Sequence, residues 1–221
     1  MVGSLNNGGF ATSCLKKLAV AGTVFAAVIC GGVMSGMAPE PDPVPRRWQL
    51  DFAPGSLRMT TMNVEGVGQR AYFYMTYKVA NSTGGDLLLA PALELATEEG
   101  EVIRSGRDVP AAVTRRILDD LANPFLQDQN SIVGMILQGE ANAREGLAIW
   151  PVNDLDVDEI TVYAAGFSGE TAPVEFKNPS TGEVTKVLLR KSLMMRFTSP
   201  GELQVGSNEP VEMTEKRWIM R

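Results

Sequence analysis

The sequence predicts a mainly β protein: an antiparallel sandwich with one short helical insertion, preceded by a single N-terminal apolar helix. Three observations carry this. Short runs rich in aromatic and β-branched residues recur from Trp48 to Met220, divided by Gly, Asn, Asp and Pro turn clusters. One segment alone, Pro110 to Ala122, has its apolar residues at helical spacing. And residues 18–38, LAVAGTVFAAVICGGVMSGMA, form an uncharged run whose length as a helix, at ~1.5 Å per residue, matches a ~30 Å bilayer core.

The apolar run comes first in the chain. Lys16 and Lys17 precede it, and Glu40 and Asp42 follow it, so the N-terminal 17 residues are expected in the cytoplasm and everything after residue 39 outside it. Arg46 and Arg47 weaken that asymmetry without reversing it. A retained signal anchor fits the length best. A cleaved signal peptide is the second choice: Gly36-Met37-Ala38 offers a loose small-x-small site, but Pro39 follows the cut. Acylation of Cys30 would want a small residue where Ile29 stands. Residues 39–47, containing PEPDPVP, read as a stiff extended linker, and 48–221 as one extracytoplasmic, periplasmic domain.

Within that domain, WQLDFA (48–53) and LRMTTMNV (57–64) alternate as strands, and Arg70 to Val79 is a long period-two run ending at the turn Asn81-Ser82-Thr83-Gly84-Gly85-Asp86. Tyr72 and Tyr74 share one face of that run, Phe73 and Tyr77 the other. At least one face is expected to fill the core; the other is a candidate carbohydrate or peptide platform. Leu87 to Leu89, Leu93 to Thr97 and Val102 to Arg104 are the next short strands, the last two joined through Glu99-Gly100-Glu101. The predicted helix has Pro110 at its start, Val113, Ile117, Leu118 and Leu121 along one side, and Asn123-Pro124 as its stop. Residues 131–138 are compatible with a short helix or a strand. Strand texture returns in Gly146 to Val152, Asp158 to Gly166, Val184 to Thr198 and Val211 to Met220. Strands that each bury one face are satisfied by two sheets packed face to face.

Composition narrows the chemistry. There is no histidine, and the two cysteines, Cys14 and Cys30, lie in or beside the apolar run. From Pro39 onward the chain thus lacks the residues for Ser-His-Asp or Cys-His nucleophiles, the usual zinc sets, haem ligation or iron–sulfur clusters. Setting aside Lys16 and Lys17 from the 20 Lys and Arg leaves 18 against 26 Asp and Glu, a net charge of −8. Phosphate neutralisation needs a clustered basic surface, so no nucleic-acid partner is expected. Arg46-Arg47, Arg115-Arg116 and Arg190-Lys191 are pairs, read as solvated faces.

The densest acidic cluster is Asn153-Asp154-Leu155-Asp156-Val157-Asp158-Glu159. Its alternate carboxylates, Asp154, Asp156 and Asp158, are the candidate ligands for a hard cation such as Ca²⁺, although Glu159 and Ala165 stand where an EF-hand loop has Gly and Glu. No other cofactor is expected. Glu140 with Glu145, or Asp119 with Asp120, are the pairs that a carboxylate-based hydrolase would need ~5–9.5 Å apart. Gly66-Val67-Gly68 is followed by Gln69-Arg70-Ala71, which departs from a dinucleotide fingerprint. Asn81-Ser82-Thr83 has the form of a glycosylation sequon and is read as a turn, and Trp150 and Trp218 as core anchors.

A resemblance sharpens the fold. Tyr77-Lys78-Val79-Ala80-Asn81 with its Thr83-Gly84 turn, Leu93-Glu94-Leu95 before Glu99-Gly100-Glu101, Gln138-Gly139-Glu140 leading to Glu145 through Trp150, and Asp158 through Tyr163 together resemble the telokin-like immunoglobulin-fold domains of bacterial secreted and membrane-anchored proteins. The likeness covers about residues 70–166. It implies an immunoglobulin-like sandwich that binds or scaffolds outside the cytoplasm, and it transfers no active site. The helix at 110–122 departs from the plain domain. The expected protein is therefore not an enzyme but a membrane-anchored interaction module, a subunit or accessory of an envelope assembly whose partners are the membrane and other envelope proteins. Small-ligand or calcium binding is the alternative, and carboxylate hydrolysis a second one.

Overall fold

The computed structural model describes residues 38–45, 47–66, 68–153, 155, 157–178, 182–198 and 208–221. The apolar run up to residue 37, with both cysteines, lies outside them. Among the described residues no helix is long and apolar enough to cross a membrane.

The chain is mainly β. In order it forms β1 (Asp51–Val64), β2 (Gly68–Ala80), β3 (Leu87–Leu89), β4 (Ala92–Thr97), β5 (Val102–Arg104), α1 (Ala111–Leu121), β6 (Leu126–Gln127), β7 (Gly134–Ile136), β8 (Arg144–Pro151), β9 (Glu159–Ala165), β10 (Thr171–Lys177), β11 (Val184–Thr198) and β12 (Pro210–Met220). The strands are hydrogen-bonded in the order β5-β4-β9-β11-β12-β1-β2-β8-β6, with β10 added to β11 and a separate β3–β7 pair. All pairs are antiparallel except β6 with β8.

The two halves of that order share one core. Phe73, Met75, Tyr77, Ala148 and Trp150 of β2 and β8 pack in the same cluster as Leu93, Leu95, Ile160, Val162, Leu193, Met195 and Phe197 of β4, β9 and β11. Two layers therefore lie face to face, joined along one side by β1 and β12 through Leu57↔Val211 and Arg58↔Pro210. The two strands expected at 48–53 and 57–64 are one, β1, whose register with β2 shifts between Pro54 and Leu57. Such an irregularity bends a strand without ending it.

Strand β2 buries both faces. Phe73, Met75, Tyr77 and Val79 enter the sandwich, whereas Tyr72 and Tyr74 join Leu147, Ile149, Val113 and Ile117 in a second cluster beneath α1. Neither face is left as a platform: the Phe73–Tyr77 face lies in the sandwich and the amphipathic helix covers the other, leaving Tyr72 0% and Tyr74 5% exposed. The helix begins at Pro110 in extended backbone and stops where Ala122 takes a left-handed conformation, its N–H shared by the carbonyls of Leu118 and Asp119. Residues 131–138 resolve into a turn followed by β7, and Asn81 is buried in an Asx-type turn, its Oδ1 accepting from the N–H and hydroxyl of Thr83.

One core contact yields a prediction. Gly146 stands opposite Tyr77, where a Cβ would lie 2.2 Å from the phenol Cζ, so the missing side chain makes room for the ring. The Tyr77 hydroxyl is buried with no hydrogen-bond partner among the described residues, and burial pushes its pKa well above the usual phenol range. Its folded-state pKa exceeds the unfolded one, so its contribution is fully present below about pH 10 and is lost as pH rises above that. Tyr77→Phe should therefore leave stability at pH 8 equal or higher and flatten the decline between pH 9.5 and 11; urea midpoints across that range check it. A parallel decline in both proteins would refute it.

Candidate interaction surface

Strand β11 changes character halfway along. From Lys191 it pairs with β12 and from Leu193 to Thr198 it is bracketed by β9 as well, and this half is largely buried. From Val184 to Leu189 it pairs, among the described residues, with β10 alone, in the register Thr171↔Arg190 to Lys177↔Val184, and Arg190 also exchanges backbone hydrogen bonds with Arg221. The two strands form a ribbon that stands clear of the sandwich, with Leu188 and Val187, which point to opposite faces, 57% and 45% exposed.

The register sorts the ribbon's chemistry. Directly opposed residues share a face, so Ala172, Val174, Phe176, Thr185, Val187 and Leu189 lie together on one side. That side has no charge, and Phe176 on it is 65% exposed. Every charged side chain of the paired segments Thr171–Lys177 and Val184–Arg190, namely Glu175, Lys177, Lys186 and Arg190, falls on the other, where Lys186 pairs with Glu175 at 3.1 Å. A two-stranded ribbon is marginal in water by itself. Here its base is secured by burial.

That base is a clasp. Lys191 Nζ lies 2.8 Å from Glu170 Oε2, with the two side chains 3% and 11% exposed. The same lysine is 5.7 Å from the ring centroid of Trp218, and the backbone N–H of Asp42 donates to Glu170 Oε1 at 3.0 Å. From there residues 48–50 run antiparallel along 167–169: Gly169 N–H donates to Trp48 O, Gln49 bridges Ser168, and Leu50 N–H donates to Phe167 O. Two expectations change. Arg190-Lys191 is not a solvated pair, because strand alternation puts Arg190 outside and Lys191 inside. And the Pro-rich segment is fastened to the domain by Asp42, so it is not a free spacer throughout.

Of the candidate calcium ligands, Asp154 and Asp156 lie outside the described residues. Asp158 is exposed, and its backbone N–H and that of Glu159 donate to the two carboxylate oxygens of Glu98 at 3.1 and 3.0 Å. Among the described residues no three His, Cys, Asp or Glu side chains converge for a metal. Three of the four carboxylates of the hydrolase pairs have side-chain partners. Glu140 binds Lys78, and with Glu145 assisting it holds that amine above the ordinary lysine range; Glu145 also accepts from Asn123, and Asp120 from Arg116 at 2.9 Å. Trp150 is fully buried as expected, whereas Trp218 is half-buried against the clasp.

A cleft of about 310 Å³ lies beside α1, lined among others by Val109, Thr114, Arg115, Leu118, Asp128 and Gln129. Partial burial raises the pKa of Asp128, but hydrogen bonds from the Ser131 N–H and hydroxyl and the Asn130 N–H outweigh it and leave the carboxyl below its usual range. Those bonds close the carboxylate on its own loop.

Sequence reasoning missed β10. Pro173 interrupts its interior, and proline is expected only at sheet edges; β10 is such an edge. The alternation Ala172-Val174-Phe176, the turn residues from Asn178 to Gly182 and the strand at Val184 were the signal for a hairpin.

No protein-family model, curated protein or solved structure matches this chain.

Proposed function

We propose that this chain is a membrane-anchored, extracytoplasmic contact protein, an accessory or subunit of an envelope assembly, and that the β10–β11 ribbon is the element through which it makes contact. The observation that carries the reading is the ribbon's uncharged face, held away from the sandwich by a buried ion pair at its base. Apolar side chains left open on a rigid projection favour burial against something else. The apolar run at 18–38 with its flanking charges supports the address, and the paired antiparallel layers support an immunoglobulin-like sandwich to which α1 and the ribbon are additions.

Two measurements on the full chain in cells test it. Protease added to intact spheroplasts should digest the domain; survival until the membrane is ruptured would overturn the address. A photoreactive phenylalanine analogue at position 176 should crosslink to a second molecule, protein or lipid, in irradiated cells. Recovery of unmodified chain alone would overturn the role of the ribbon.

A further inference from the structure

Resting on that anchored reading, we infer that the surface met by the ribbon's uncharged face is the lipid bilayer in which the chain itself is anchored. Chain reach is the first argument. The apolar run ends at Ala38, and Asp42 is already hydrogen-bonded to Glu170, the residue next to Thr171 at the ribbon's base. Four residues span at most ~14 Å, so an anchored chain holds Asp42 within that distance of the membrane boundary, and the root of the ribbon lies one hydrogen bond and one glutamate side chain further on. The ribbon's seven residue pairs extend ~23 Å from that root at ~3.3 Å per residue.

Area is the second. A face of that length and ~10 Å width covers roughly 230 Å², so two copies packed face to face would bury roughly 500 Å², well short of the ~1,200 Å² of a stable interface. A contact this small holds when its partner is already tethered nearby, and the anchor supplies that effective concentration. Charge agrees. From Thr171 to Arg190 the hairpin carries Lys177, Lys186 and Arg190 against Glu175 and Glu183, a net charge of +1 on a chain that is −8 overall from residue 39 onward. With Ala172, Val174, Phe176, Val187 and Leu189 toward the acyl boundary, the lysines and the arginine extend on the opposite face, from which long side chains reach anionic headgroups. The ribbon would then act as a second foot, fixing which side of the sandwich faces away from the membrane.

The test uses the full chain reconstituted in vesicles of zwitterionic and anionic phospholipid, some carrying bromine on the upper acyl chain as a quencher. Phe176→Trp and Glu175→Trp place an added indole on opposite faces of the same exposed strand. The emission added by Phe176→Trp should be blue-shifted and roughly twofold more quenched by brominated lipid than that added by Glu175→Trp, as for a side chain ~5–10 Å into the interface. Equal quenching overturns the inference, as does a blue shift without quenching, which marks cover by protein. Carbonate extraction of the same vesicles separates the two levels: a chain retained but unquenched removes this inference and leaves the anchor, whereas a chain washed off removes both.

Discussion

Lys191→Met should lower the stability of the folded domain by about 3–5 kcal/mol, because it removes the buried ammonium that lies 2.8 Å from the Glu170 carboxylate. Replacing one partner of a buried pair weakens the compensation of the other's charge; replacing both removes the two charges together. The double substitution Glu170→Leu with Lys191→Met should therefore recover most of the loss, since two apolar groups of similar volume remain. Urea unfolding of the full chain in detergent, followed through the buried Trp150, measures both. A Lys191→Met protein that melts like the parent would show that the clasp contributes little. The same substitution also loosens the hold on Asp42, whose N–H donates to Glu170 and whose carbonyl lies 3.5 Å from Lys191 Nζ. Proteolysis of the linker near Asp42 should accordingly quicken in Lys191→Met.

Gly166→Ala should be the next most damaging single change, at about 2–5 kcal/mol. Gly166 ends β9 at φ +91, where an L side chain costs ~1–2 kcal/mol. A Cβ there would also sit 2.3 Å from the carbonyl oxygen of Ala90. The obstacle is backbone, immediately before β4, so it cannot be relieved by a rotamer change and adds the ~1–3 kcal/mol of an overpacked core. Gly68→Ala is the control. Its φ is +88, but no atom would lie within 4 Å of the new Cβ, so it should pay the conformational part alone. Equal urea midpoints for the two variants would remove the steric argument.

Much of the architecture was legible because it is written in short-range periodicity. Strand β2 announces itself by alternating aromatic and β-branched residues, and α1 by Val113, Ile117 and Leu118 between Pro110 and Asn123-Pro124. What periodicity does not reveal is what lies opposite. The alternation in β2 shows two apolar faces but not that α1, some forty residues later, returns to cover Tyr72 and Tyr74. For the same reason a face that looked like a binding platform is interior, whereas Phe176, Val187 and Leu188, which in sequence look like core, are exposed.

The sequence by itself determined the β character of the domain, the position of its one helix and its acidic balance, because local propensity and side-chain spacing act within a few residues. It determined equally that histidine and cysteine chemistry is excluded beyond residue 39. Only the tertiary structure decided which strands are covered. Strand β11 carries one uninterrupted strand pattern from Val184 to Thr198, yet its last six residues are enclosed by β9 and β12 while, among the described residues, its first six meet β10 alone. Burial depends on neighbours distant in the chain, and so the ribbon and the ion pair at its root became visible only when those neighbours were in place.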